Sequence, residues 1–139
     1  MIDLDACPCS GKNLARLLRP AILTLLVGEE LHGYEIVQRL TEQALVEGYT
    51  PDTAGVYRML RSMEEMGVVE SEWVLSDAGP AKRRYRITDA GLECTRRWML
   101  TLQQYHAAVG HLLELGQKAL HTREKGKKHG RRKKGKGAG

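Results

Sequence analysis

Between Trp98 and Ala119 the residues Trp98, Leu102, Tyr105, Val109, Leu112, Gly116 and Ala119 follow one another at intervals of 4, 3, 4, 3, 4 and 3. This is the seam of a helix that packs along another helix, and Leu113 and Leu120 widen it. Thr88 can cap the start of such a helix, and an unbroken segment from Asp89 to about His121 would be roughly 50 Å long at 1.5 Å per residue. A core built from the remaining residues of a 139-residue chain cannot cover a helix of that length, so the natural partner is a second copy. The fold must therefore place a small N-terminal domain ahead of a long dimerisation helix, with Trp98, Leu102, Tyr105, Val109 and Leu112 as the seam.

The part that precedes it reads as three helices and a hairpin. Pro20 suits a first helical turn, where its missing N–H costs nothing. The following run from Ala21 to Val27 is apolar nearly all round and Gly28 closes it, which marks a central helix. Ile36, Val37, Leu40 and Ala44 then recur at helical spacing. Thr50-Pro51 supplies a capping hydroxyl and a proline at the first helical position of a third helix. There Val56, Met59, Leu60, Met63 and Met66 share one face, with Ala54, Tyr57, Arg58, Arg61 and Glu65 on or near the other. Past Gly67 the period drops from 3.6 to 2. Val69, Ser71 and Trp73 alternate with polar residues, and after a turn-rich stretch from Ser76 to Pro80 the run from Arg83 to Ile87 alternates again, predicting a two-stranded hairpin.

The chain thus divides into a flexible arm at 1–12 carrying Cys7-Pro8-Cys9, a winged helix-turn-helix at 13–88, a dimerisation helix at 89–121 and a basic tail at 122–139, expected to be disordered. The fold class is mainly α with a small two-stranded hairpin, an arrangement that sets the third helix in a DNA major groove and the hairpin against the backbone.

Charge agrees with that reading only when it is located. The chain has 22 Lys and Arg against 17 Asp and Glu, a net +5, but residues 122–139 alone hold nine cations and one anion. The rest has a net −3, so the excess belongs to the tail. Within this acidic body, Arg58 and Arg61 on the outer face of the third helix and Lys82, Arg83, Arg84 and Arg86 on the hairpin sit where double-stranded DNA would lie. No stretch approaches the ~18 apolar residues of a membrane span. The acidic N-terminus lacks the pattern of a secretory signal, which leads to the expectation of a cytoplasmic protein with no membrane partner.

Several short stretches resemble the PadR-type transcriptional regulators: Pro20-Ala21-Ile22-Leu23, His32-Gly33-Tyr34-Glu35-Ile36, Val56-Tyr57-Arg58-Met59-Leu60, Gly67 through Trp73, and Gly79-Pro80 with Arg84 through Gly91. The resemblance implies a homodimeric, prokaryotic repressor with a winged-helix head. It implies that Tyr34 and Tyr57 contact phosphate, and that Thr53, Arg58 and Arg61 lie at or near bases. Gly79-Pro80 would form the wing turn, with Lys82, Arg83 and Arg84 as its backbone clamp. Drug-sensing members of the family stack flat ligands on a tryptophan across the dimer interface. That position falls on Leu102, one turn beyond Trp98, so a ligand slot on the seam stays open.

The family pattern does not explain the cysteines. Cys7 and Cys9, with Cys94, leave open a thiol redox sensor or a metal ion held by the thiols, and a small-molecule effector is the other reading of the signal. His106 and His111 stand five apart, a spacing that does not place two ligands on one helical face. There is no nucleophile elbow, phosphate loop or His-Glu-x-x-His motif, so no enzyme is expected and no cofactor is called for. The rival to a sequence-specific regulator is a non-sequence-specific basic protein whose tail binds nucleic acid while the helical body dimerises.

Overall fold

A computed structural model describes residues 3, 16–43, 51–76 and 79–137. In chain order the elements are α1 (Leu18–Gly28), β1 (Leu31–His32), α2 (Gly33–Glu42), α3 (Thr53–Glu65), β2 (Val69–Ser76), β3 (Gly79–Ile87) and α4 (Asp89–Gly137). The chain separates into a head closing at Trp98 and a helical unit beginning at Met99.

α1 is the centre of the head. Ile22 and Leu23 are fully buried and Leu25 and Leu26 nearly so, as expected of a helix apolar on most sides. Thr24, on the exposed side of the helix, donates its hydroxyl to the Pro20 carbonyl at 2.7 Å. Ile36 and Leu40 of α2 and Val56, Leu60 and Met63 of α3 close on it, each fully buried apolar side chain contributing about 1.5–3 kcal/mol. Val37 and Met59 pack at the margin. Met66, expected on the buried face, is 60% exposed, because it has become the C-cap of α3 and the chain turns away there. The turn itself is a Schellman motif. Gly67 has φ of +80°, its N–H donates to the Glu64 carbonyl at 3.0 Å, and the Val68 N–H donates to the Met63 carbonyl at 3.1 Å, a geometry that favours glycine.

The cap of α3 differs from the expected Thr50-Pro51. Asp52 is the N-cap, and its carboxylate accepts from the Gly55 N–H at 3.2 Å, a role that a short carboxylate fills well; Thr50 lies outside the described residues. Thr88 does cap α4 as expected, accepting from the Gly91 N–H at 3.0 Å, and it also donates to the Gly67 carbonyl at 2.6 Å.

The sheet has three strands, ordered β1-β3-β2 and antiparallel throughout. The expected hairpin is present, and β1 adds to its far edge, pairing Leu31 with Tyr85 and His32 with Arg84. Gly79 and Pro80 belong to β3, with Gly79 opposite Ser76, so they do not form the wing turn; Pro80 lies where a strand end tolerates the loss of a donor.

α4 runs to Gly137, past the expected end near His121 and through the tail expected to be disordered. Lys, Arg and Glu are good helix formers, no proline interrupts them, and lengthening an existing helix avoids the cost of nucleation. Within the helical unit Tyr105, Val109, Leu112, Leu113 and Leu120 are all more than half exposed and Leu102 is half-buried. Trp98, assigned to the seam by its spacing, packs against the core of its own head, as does Cys94. Their place in the first turns of α4, beside Gly91, makes them part of the head's closing layer.

Candidate nucleic-acid interface

The first turn of α2 builds one side of the site. Glu35 accepts from the His32 backbone N–H at 2.9 Å, which anchors the helix start. This leaves Tyr34 half exposed, with its ring parallel to that of His32 at 6.0 Å. Lys82 of β3 reaches across, its Nζ 5.0 Å from the centre of the Tyr34 ring. Such a cation is held over an aromatic face while its ammonium stays wet.

α3 builds the facing side. Thr53 is its first residue, and Thr53, Tyr57, Arg58 and Arg61 are all exposed. Arg58 lies 3.6 Å from Asp52, both about three-quarters exposed, an ion pair that solvent screens and that costs little to break. Among the described residues no carboxylate pairs with Arg61. Tyr57 leans over the start of α2, against Gly33. Between these elements and the hairpin runs an open groove of about 250 Å³, lined by Gly33, Tyr34, Tyr57, Trp73, Lys82 and Arg83 among others.

The four hairpin cations, adjacent in sequence, have separate environments. Arg83 shares its strand face with Tyr85 and turns toward α3. Its Nε donates to Ser71 Oγ at 2.6 Å, its Nη2 lies 3.3 Å from Glu64, and its guanidinium stacks 5.6 Å over the exposed Trp73. Ser71 in turn donates to Glu64 at 2.6 Å, so the wing is tied to α3 by a three-residue network. Arg84 and Arg86 face the other way and are neutralised. Arg84 meets Glu72 at 2.7 Å and Glu30 at 3.2 Å, and Arg86 meets Glu70 at 2.6 Å. Glu72 and Glu70 are the in-register cross-strand partners of Arg84 and Arg86. The hydrogen bond from Arg84 holds the Glu72 carboxyl below the usual carboxylate range. The hydrogen bonds that Arg84 and Arg86 donate to Glu72 and Glu70 raise both arginines above their ordinary values. Burial raises the Tyr85 hydroxyl.

The structure thus brings together Tyr34, Tyr57, Lys82 and Arg83 around one groove, with Thr53, Arg58 and Arg61 on the exposed face of the helix beside it. Arg84 stands apart in a carboxylate ladder. The sequence reading missed Trp73 and Gly33 as parts of the groove. The alternation of Trp73 with Glu72 was the available signal, but only the pairing of Trp73 with Arg83 shows which face it takes. Cys7 and Cys9 lie outside the described residues. Among the described residues no group of three or more His, Cys, Asp or Glu side chains is placed to hold a metal ion, and no helix is long and apolar enough to cross a membrane.

Three helices closed by a hairpin, with an exposed third helix beside a cationic wing, define a winged helix-turn-helix protein. The model of the transcriptional regulator PadR-like family matches residues 22–97, and the chain belongs to that family. A probable transcriptional regulator of Mycobacterium tuberculosis, Rv1176c, is 33% identical over 79 residues, which are 57% of this chain and 41% of that one; the match thus spans less than half of that relative. A PadR family transcriptional regulator from Eggerthella lenta superposes with a TM-score of 0.68 at 28% identity, over 79% of this chain and 94% of its own. Bacillus subtilis PadR in complex with operator DNA superposes with a TM-score of 0.54 at 26% identity, over 60% of this chain and 46% of that one.

Proposed function

We propose that the chain is a cytoplasmic, homodimeric, sequence-specific DNA-binding regulator, acting as a repressor that an effector releases. The observation that carries this reading is the convergence of Tyr34, Tyr57, Lys82 and Arg83 on one groove beside the exposed Arg58 and Arg61, in a body whose net charge is otherwise negative. The similarity to a PadR bound to operator DNA supports it. The tyrosines, Lys82 and Arg83 take phosphates, which sets register and affinity. Arg58 and Arg61 read bases, each able to make a bidentate contact to guanine, with Thr53 at the edge of the same face. Arg84 contributes less than its neighbours, since Glu72 and Glu30 already satisfy its charge.

The exposed stripe of Tyr105, Val109 and Leu112 supports the dimer, because a contiguous apolar face of this kind is covered in a stable protein. With two heads, the half-sites fall about one helical turn apart, roughly 34–36 Å. The effector shifts the population toward dimers whose recognition helices are misplaced, and it acts through its difference in affinity for the two states. The signal is a small molecule or, through Cys7, Cys9 and Cys94, an oxidant or a metal ion.

The test is substitution of the two reading arginines. R58A and R61A should each lower the preference for the operator over a scrambled duplex by about 1–3 kcal/mol while non-specific binding persists. If both variants keep full discrimination, and operator binding instead disappears on removal of residues 122–139 from a chain that still dimerises, the protein is a non-specific basic factor.

A further inference from the structure

The basic C-terminal stretch is part of α4, and nothing in the winged-helix reading uses it; the family match ends at residue 97. From Arg123 to Lys136 the helix carries nine cations and one carboxylate, Glu124. At 1.5 Å per residue it presents a net positive charge about every 2.4 Å, close to the one negative charge per ~1.7 Å of duplex DNA. Like charges stand at helical neighbour spacing, Arg123 with Lys127 and Lys125 with Lys128, and Gly126 lies between them. Such neighbours repel in water and are relieved by a polyanion.

We infer that the helix from Arg123 to Gly137 is a second, sequence-independent binding surface for the phosphate backbone of duplex nucleic acid. Composition selects that partner over two others. A helix that lies on a membrane surface needs an apolar face, and residues 121–137 include no apolar side chain. Single-stranded nucleic acid is held by bases stacked on aromatic rings, and no Phe, Tyr or Trp follows Tyr105. What remains is charge alone, at duplex density. Binding proceeds by release of counterions, so its signature is a steep dependence on salt.

The experiment compares the full chain with two variants on a duplex of random sequence, a single-stranded RNA and vesicles of anionic lipid, over a range of salt concentrations. One variant ends at His121. The other keeps the full length and carries K127Q, K128Q, R131Q, R132Q, K133Q and K134Q, which removes charge and retains good helix formers. Because the duplex carries no operator, failure of the head to read sequence leaves the result unaffected, and R58A/R61A in the same assay should keep the tail's contribution. The slope of log affinity against log salt on the duplex should fall by about 4 or more in both variants, given ~0.9 per phosphate contact. A fall of less than about 2 in either variant overturns the inference. So does a loss confined to the RNA or to the vesicles, since each identifies a different partner.

Discussion

The ring of Tyr57 occupies the space that a side chain at Gly33 would need. A Cβ on Gly33 would stand 2.6 Å from Tyr57 Cε1 and 2.9 Å from its hydroxyl, closer than real carbon atoms approach. Gly33 opens α2, and an alanine in a helix is ordinarily favoured over glycine by up to about 1 kcal/mol. The atom in the way is the far end of a half-exposed side chain, so the ring moves and the fold survives. Gly33→Ala should therefore leave the melting temperature nearly unchanged. Operator affinity should weaken by about ten-fold or more, the worth of one hydrogen bond to a charged group. A titration by fluorescence anisotropy beside a thermal melt checks both halves.

Gly91 is the opposite case. A Cβ there would meet the Val68 backbone carbonyl at 2.0 Å and Ile87 at 2.6 Å, and a backbone carbonyl that also accepts from the Thr88 N–H cannot give way cheaply. Gly91→Ala should destabilise the head by about 1–3 kcal/mol, as overpacking does, seen as a lower midpoint in urea denaturation. An unchanged midpoint would contradict the packing described for the start of α4.

These two glycines show what the sequence could and could not reveal. The periodicities of Ile22-Leu23, Ile36-Leu40 and Val56-Leu60-Met63 placed three core helices, and the switch to period 2 at Gly67 placed the hairpin. β1 has only two residues and no period to detect. It exists because Leu31 and His32 pair with Tyr85 and Arg84, a tertiary fact. The adjacency of Lys82, Arg83, Arg84 and Arg86 reads as one cationic patch until strand alternation and the carboxylates of Glu30, Glu64, Glu70 and Glu72 divide it. The heptad interval at Trp98 was legible, but α4 begins in the head, and its first turns pack on the nearest core.

The carboxylate ladder predicts a pH dependence. Glu72 has its carboxyl held below the ordinary range by the Arg84 hydrogen bond. Its contribution is therefore fully present above the unfolded carboxylate range and is lost as pH falls through the lowered folded value. Arg84 stays charged throughout. The difference in melting temperature between the native chain and Glu72→Gln should be constant near neutrality and close on acidification across that window. A difference that persists in strong acid would rule out the ladder as its source.

The exposed stripe on α4 predicts an association defect. Val109→Glu with Leu112→Glu places two charges on residues that are 64% and 70% exposed in the single chain. The head should keep its fold, since neither residue belongs to its core. Sedimentation equilibrium should show the native chain as a dimer and the double variant as a monomer, with operator affinity falling as the second half-site is lost. A dimer that survives both substitutions would remove this stripe from the interface.

The most direct test of sequence-specific reading by α3 is selection from a randomised duplex library with the chain ending at His121, at fixed salt, followed by sequencing. The account predicts enrichment of a palindrome with half-sites about one helical turn apart, and loss of that enrichment when Arg58 and Arg61 are both alanine. A library that returns no preferred sequence, or the same sequence with and without the two arginines, would contradict it.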